Sequence, residues 1–510
     1  MKLADILQNI QYSVIGGDLS TEIKHIAIDS RFVRKNTLFI CIKGLKTDGH
    51  KFIEDAAAAG AAAILTEGEL PGPGHLADAG TSVPPARRGS LRSPVMLRTA
   101  DTRRAAAICA ANFYGRPSEN FRLIGVTGTN GKTSTTYFLE EILCTVGHKV
   151  GVIGTVDTRI GREHVNVAFA TSTTPDPLEL QQILAAMRDA QADDVVMEVT
   201  SHALALSKVE GIGFELGVFT NLTQDHLDFH GTMENYREAK ARFFKMCQTG
   251  VFNADDEASE YFIKNSGCSA LLYGIDNENK RGLDVAASNV EFFAQGVKFD
   301  VRTKQGDIER VSVPIPGRFT VYNALAAICA AQAKGISMSA VKTALGRMAG
   351  VPGRIQSVPN DLGISVIVDY AHTPDSLENI LKSVREFTAG RLITVFGCGG
   401  DRDRTKRAVM GAIAGRYSDY CVITSDNPRT EDPVSIIEEI EPGVSETGCA
   451  YEKLPERKAA IEQAICLARR GDSVVIAGKG HENYQIFKEC TVHFDDSEEA
   501  LDTLSRKREA

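Results

Sequence analysis

The sequence predicts an α/β protein of three domains, and three observations carry that expectation. Short apolar runs of strand length alternate with helical stretches along the whole chain. Clusters of Gly and Pro punctuate it near residues 115 and 350. Its 510 residues exceed what one hydrophobic core organises. The expected division is a small α/β domain over 1–115, a central domain over 116–349 with a mostly parallel sheet, and a Rossmann-like C-terminal domain over 350–510.

In the first part, His25–Ile28, Thr37–Ile42 and Ala62–Leu65 read as strands and the alanine-rich Phe52–Ala59 as a helix. Gly68–Pro94, rich in Gly, Pro, Ser and Arg, reads as an unusually long surface loop. Tyr114–Ser118 reads as a linker, after which Phe121–Val126 begins a new strand and Thr135–Leu143 a helix. A second boundary falls at Gly350–Gly353. Beyond it, strands at 364–369, 391–396, 420–424 and 473–477 alternate with helices, the pattern of a parallel sheet wrapped by helices. No fixed-period repeat is present.

Bulk composition excludes several classes. A net charge of −9 gives no electrostatic reason to bind nucleic acid or an anionic membrane. Asp5, within the opening MKLADILQNI, interrupts any secretory apolar core, and no run of apolar residues is long enough to span a bilayer, so a cytoplasmic protein without membrane insertion is expected. Eleven cysteines with no Cys-x-x-Cys pair read as reduced thiols and not as a disulfide frame or a zinc site.

Chemistry first shows at Gly128-Thr129-Asn130-Gly131-Lys132-Thr133, between a strand and a helix. Glycines let backbone N–H groups turn inward around phosphate oxygens, the helix N-terminus adds positive potential, Lys132 neutralises phosphate charge, and the Thr133 hydroxyl suits Mg²⁺. Val126 stands where a strict phosphate-loop pattern has its first glycine, so a chance Gly-Lys-Thr is the competing reading. Glu198 ends the apolar strand Asp194–Val199 with a hard oxygen donor. His226 and Lys240, taken alone, read as an ordinary polar histidine and a solvated lysine.

Together these stretches resemble one family. Thr127–Thr133, the Glu198 strand, Asn221–Asp228, Lys240, Tyr322-Asn323-Ala324, Pro352-Gly353-Arg354 and Asp369-Tyr370-Ala371-His372-Thr373-Pro374 occur in the order of the Mur ligases and span nearly the whole chain. These ligases use ATP to add amino acids to cell-wall precursors. The resemblance implies a UDP-binding first domain, a central ATPase domain and a C-terminal domain that brings the amino acid. It further implies that Thr127, Gly128, Thr129, Asn130, Gly131, Lys132, Thr133 and Ser134 hold ATP, joined across a closing interface by Asn323, Arg354 and Asp369. Lys240 would be carbamylated (N6-carboxylysine). Thr133 and Glu198 would hold one Mg²⁺, and Glu198, His226 and modified Lys240 a second. His372 either contacts the nucleotide or caps the helix begun by Thr373-Pro374. Hinges are expected near 116–120 and 350–353.

Substrate choice rests on further stretches. Thr171-Ser172-Thr173-Thr174-Pro175 resembles the segment that holds UDP-MurNAc-L-Ala-D-Glu in the family members that add the third residue. Ile28, Ser30, Leu45, Lys46 and Thr47 match their uridine site, and Thr200 a further contact. Leu206 and Lys208 depart from the family's frequent Gln and Arg, and a lysine loses the bidentate fork. Asp426-Asn427-Pro428-Arg429 resembles the recognition motif of members that add meso-diaminopimelate; members that add L-lysine lack its arginine. Arg429 suits a distal carboxylate and an acid suits the distal amine. Arg402, Gly478 and Glu482 match the rest of that pocket. Read blandly, the four residues are a turn. L-Lysine as the added residue, or a folylpolyglutamate synthase-like ligase, is the alternative. A monomer is expected.

Overall fold

The structure is a computed structural model describing residues 1–44, 47–67, 93–161, 163–164, 173–275, 282–293, 295–304, 306, 308–348 and 350–509. The expected surface loop at 68–94 lies outside the described residues apart from its last two.

Three larger sheets organise the chain. The first orders Ser13–Gly16, Val95–Thr99, Ala61–Glu67, Thr37–Ile40 and His25–Ala27, parallel except at the Ser13–Gly16 edge. The second lies between Arg122 and Val313. Its parallel centre sets Val150–Ile153, Asp194–Glu198, Arg122–Thr127, Phe214–Phe219, Cys247–Asn253 and Ser269–Ile275 side by side. The third orders Gln356–Ser357, Ser365–Asp369, Ser473–Ala477, Leu392–Phe396, Tyr420–Ile423 and Ala450–Lys453, parallel except for the first pair. The central strands of both larger sheets are apolar runs buried along their length, as parallel strands covered by helices on both faces require.

Most expected strands fall within two residues of their predicted places. The helix read as Thr135–Leu143 starts earlier, at Lys132, and ends at Thr145. The helix read as Phe52–Ala59 is a 3₁₀ turn, Gly49–Phe52, followed by Ile53–Ala58. The stretch read as a linker is partly buried: Pro117–Asn120 forms a 3₁₀ turn with Pro117 and Ser118 inside. Not anticipated was the antiparallel extension of the central sheet, Val285–Phe293, Gly296–Thr303 and Ile308–Val313. Its strands alternate between buried and exposed residues over much of their length, a weaker signal than continuous apolar runs.

Register places the chemistry. Glu198 lies opposite Val126 and Phe219 opposite Thr127, so three strands of the central sheet end at one edge. In the third sheet Asp369 lies opposite Ala477 and Phe396 opposite Ile423, so Asp369, Gly478, the 397–402 loop and Asp426 leave a common edge. Ligands of open α/β sheets bind at such carboxyl ends.

Candidate active site

The loop after Arg122–Thr127 turns into its helix at Gly131, whose φ of +83° is left-handed. A Cβ there would collide with Asn323 Oδ1, so glycine is required on two counts. Neighbouring strand ends hold the loop from outside. Asn130 N donates to Asn221 Oδ1 at 2.9 Å, Thr129 N to Asn221 O at 2.8 Å, and Thr220 Oγ1 to Asn130 O at 2.6 Å. The Thr127 hydroxyl is spent within the sheet, donating to Val199 O at 2.8 Å. Ser134 lies in the helix's first turn. Lys132 folds back, its ammonium donating to Gly128 O at 2.9 Å and Thr129 O at 2.7 Å. Burial pulls that ammonium below its ordinary value, opposed by Glu198 and Asp225.

Glu198 is almost fully buried and fully bonded. Oε1 accepts from the Thr133 hydroxyl at 3.0 Å and from Thr155 N at 2.9 Å; Oε2 accepts from the Thr155 hydroxyl at 3.0 Å. Lys240, on the helix Met233–Phe244, is 1% exposed and donates to Gly128 O at 2.8 Å, the carbonyl that Lys132 also uses. Burial and the neighbouring Lys132 hold Lys240 well below its ordinary value, which favours the neutral form of the amine. His226 has φ +54° and meets the His202 ring edge-on at 4.6 Å between centroids; burial lowers it, opposed by Asp225. Among the described residues no group of three or more His, Cys, Asp and Glu is arranged to hold a metal ion. Thr133, Glu198, His226 and Lys240 therefore suit a hard cation only with a carboxylate on Lys240, whose lowered amine pKa favours that modification.

The remaining nucleotide candidates bridge the two sheets. Asn323 is buried against Gly131 and accepts from the Thr135 hydroxyl at 3.5 Å. Arg354 stacks over Tyr370 at 4.6 Å, and its Nε is buried with no hydrogen-bond partner among the described residues. Asp369 accepts from Ile355 N at 2.8 Å and Ala371 N at 2.9 Å; burial raises it, opposed by Arg354 and these amides. The capping alternative for His372 is corrected: Thr373 caps the helix Pro374–Arg385 through Ser376, while His372 Nδ1 contacts Tyr370 O at 2.7 Å and the ring faces the cleft.

A cleft of about 900 Å³ joins both edges. His226, His372, Arg402, Asp426, Asn427, Arg429, Gly478 and Glu482 all line it. The wall formed by the third sheet is braced from behind. Asn427 donates through Nδ2 to Glu482 Oε2 at 2.8 Å, and Gln485 Nε2 donates to Asp426 O at 2.7 Å. Arg457 and Asp496, both fully buried, pair at 2.7 Å, and Arg457 also donates to Ser425 O at 3.3 Å and Ala477 O at 3.1 Å. A Cβ on Gly478 would come within 2.5 Å of Asp426 Oδ2. The expected turn falls on Arg429 and Thr430, with Arg429 at φ +54° and its Nη1 donating to Gly400 O at 2.8 Å. Pro428 is buried beneath, and Arg402 stands exposed.

The UDP-side candidates lie apart from the residues that line this cleft. Leu45, Lys46 and Ser172 fall outside the described residues; Ile28, Ser30 and Thr47 belong to the first sheet's surroundings. Thr173 and Thr174 reach the site: the Thr155 and Thr173 hydroxyls lie 3.1 Å apart, and Thr174 Oγ1 donates to Glu198 O at 2.9 Å and accepts from Thr200 N at 3.1 Å. Lys208 pairs with Asp176 at 2.8 Å and donates to Thr174 O at 3.5 Å, so its charge is engaged by the chain itself; Leu206 ends the short helix Ser201–Ala205.

Sequence reading missed several participants. Thr155 anchors Glu198, and nothing in Gly154-Thr155 marks it. Asp375 Oδ2 accepts from Asn130 Nδ2 at 2.8 Å and the Thr223 hydroxyl at 2.9 Å, tying the helix Pro374–Arg385 to the phosphate loop. Its acid in a helix's first turn looks like ordinary capping.

A Gly-rich loop before a helix at the carboxyl edge of one parallel sheet thus faces a wall of arginines and carboxylates at the carboxyl edge of another, the arrangement expected of an ATP-dependent acid–amino acid ligase. The chain belongs to the Mur ligase family. Residues 126–331 match the Mur ligase middle domain, 353–480 the Mur ligase glutamate ligase domain, and 22–83 the Mur ligase family catalytic domain. It is 44% identical over 510 residues, covering 99% of this chain and 100% of the relative, to the UDP-N-acetylmuramoyl-L-alanyl-D-glutamate--2,6-diaminopimelate ligase of Clostridioides difficile. It is 45% identical over 514 residues to the ligase of the same name from Syntrophomonas wolfei, covering 99% of this chain and all of that one. A solved structure of a ligase of that name matches with a TM-score of 0.70 at 31% identity, covering 100% of this chain and 99% of the other. A folylpolyglutamate synthase from Mycobacterium tuberculosis, at 18% identity and TM-score 0.57, covers 74% of this chain and 92% of its own and shares the fold. All eleven cysteines are free, and among the described residues no helix is long and apolar enough to cross a membrane.

Proposed function

We propose that the protein joins meso-2,6-diaminopimelate to UDP-MurNAc-L-Ala-D-Glu at the cost of ATP, through an acyl phosphate, in the synthesis of cell-wall precursor. The observation that carries the reading is the meeting of Arg402, Arg429, Asp426 and Glu482 with His226 around one cleft. A diamino diacid presents a carboxylate and an ammonium at its far end; two guanidinium groups and two carboxylates complement that pair.

The D-Glu carboxylate attacks the γ-phosphorus of ATP and releases ADP. Lys132 exchanges the Gly128 and Thr129 carbonyls for phosphate oxygens, stabilising charge on the transferring group. Thr173, Thr174 and Thr200 support the dipeptide beside Glu198, and Asn323, Arg354 and Asp369 hold the nucleotide. The Lys240 amine, in its neutral form, adds to CO₂ and loses a proton, giving a carbamate. Thr133, Glu198, His226 and that carbamate are the residues that would hold Mg²⁺, which when bound screens phosphate charge. The diaminopimelate amine then attacks the acyl carbon, and inorganic phosphate leaves. Because the reacting groups come from two sheets, closure about 116–120 and 350–353 accompanies binding. The protein acts as a cytoplasmic monomer, as expected for soluble nucleotide-linked substrates.

Incubating the protein with ATP, Mg²⁺, the UDP-dipeptide and meso-diaminopimelate is expected to give one phosphate per product heavier by one diaminopimelate residue. No product of that mass would overturn the reading.

A further inference from the structure

Behind the amino-acid side of the cleft lies a lysine that the reaction above leaves without a task. Lys479 sits between Gly478 and Gly480, both in left-handed conformations at φ +123° and +55°, and its side chain is 0% exposed. Its ammonium donates to Asn427 Oδ1 at 3.1 Å and to Glu482 Oε2 at 3.3 Å. Asn427 Nδ2 donates to the same Oε2 at 2.8 Å, and Asn427 Oδ1 also accepts from Ile486 N at 3.0 Å. The three side chains close a ring of hydrogen bonds with Glu482 at the cleft wall, 15% exposed, and Lys479 behind it.

The ring fixes what would otherwise be free. An ammonium has donors only, so it binds the oxygen of the Asn427 amide and turns the NH₂ toward Glu482. With Oε2 taking two donors, one oxygen of the carboxylate is held in place. Lys479 also balances an acidic wall: Asp426 and Glu482 both line the cleft, and a buried carboxylate without a cation is costly. A buried ion pair is a weak source of stability compared with apolar packing, so its place behind a substrate wall calls for another explanation.

We propose that Lys479 is a positioning residue for the amino-acid substrate, holding the Asn427 amide and the Glu482 carboxylate so that Glu482 meets the substrate's distal ammonium. The inference rests on the diaminopimelate reading above. It predicts a particular discrimination: the wild-type protein prefers meso-diaminopimelate over 2-aminopimelate, which has the distal carboxylate but no distal amine, and Lys479 sustains that preference.

The test compares the full-length wild type with Lys479→Met, Glu482→Gln and the double variant, varying diaminopimelate, 2-aminopimelate and ATP in turn. In Lys479→Met, KM for diaminopimelate should rise roughly 10- to 100-fold while kcat and KM for ATP change by less than about threefold. The preference over 2-aminopimelate should shrink by a similar factor. In the Glu482→Gln background, Lys479→Met should add almost nothing, because the lysine acts through that carboxylate. The double variant removes the Lys479–Glu482 pair together, so neither side chain leaves the other unpaired, and it keeps the test alive if the single variant does not fold. Equal rises in KM for diaminopimelate and ATP, or full additivity in the double variant, would overturn the role of Lys479. Wild-type protein that uses L-lysine and not diaminopimelate would instead overturn the reading beneath it.

Discussion

The Gly-rich loop after Arg122–Thr127 holds two lysines on one backbone carbonyl, whereas the wall formed by the third sheet braces its polar groups from behind and, apart from the Arg429 bond to Gly400 O, leaves them at the cleft. Lys132 and Lys240 both donate to Gly128 O, and Glu198 is saturated by Thr133 and Thr155. On the proposed mechanism ATP displaces the Lys132 bonds, so this half of the cleft rearranges on binding. Opposite it, Arg457–Asp496 and the Asn427–Glu482 contact lie beneath residues already turned to the cleft. On that mechanism nucleotide binding would drive closure, while specificity for the amino acid would be held in the braced wall.

The contrast breaks most visibly at Lys240. Lys240→Ala should lower kcat by roughly 10³- to 10⁴-fold, with Lys240→Glu retaining more activity because a carboxylate stands in for the carbamate. Removing CO₂ and bicarbonate from the assay should slow the wild type and leave Lys240→Glu unaffected; an active alanine variant would remove the carbamate from the mechanism. On the rigid side, Arg457→Met strands Asp496 in the interior and should lower unfolding stability by about 3–5 kcal/mol, read from urea denaturation. A loss below 1 kcal/mol would mean the wall is held by other contacts. Arg429→Ala should reduce kcat/KM for diaminopimelate by about 10²-fold and that for L-lysine far less, since only the first has a distal carboxylate. Asp375→Ala, which cuts the bridge between the halves, should lower kcat about tenfold with KM for diaminopimelate little changed. A rise in that KM alone would place Asp375 on the amino-acid side.

The two halves also differed in how legible they were. Parallel strands buried on both faces announce themselves as apolar runs, and the residues at their carboxyl ends, Gly128–Thr133, Glu198 and Asp426–Arg429, are contiguous motifs. The contacts that make them a site are not contiguous. Asn130 and Asp375 are 245 residues apart, and Lys479 and Asn427 are 52 apart. Nothing in Gly478-Lys479-Gly480 marks the lysine as buried, yet its side chain is 0% exposed between two glycines of positive φ. The Val285–Val313 extension escaped because its strands bury one face for much of their length. The sequence around His372 fits two roles, and the cap falls to Thr373.

The most direct test of the account is competition. Purified protein, ATP, Mg²⁺ and UDP-MurNAc-L-Ala-D-Glu are given meso-diaminopimelate and L-lysine at equal concentration, and the product masses are measured. The account predicts the diaminopimelate tripeptide almost alone. A predominantly lysine-containing product would contradict the role assigned to Arg429 and the wall behind it.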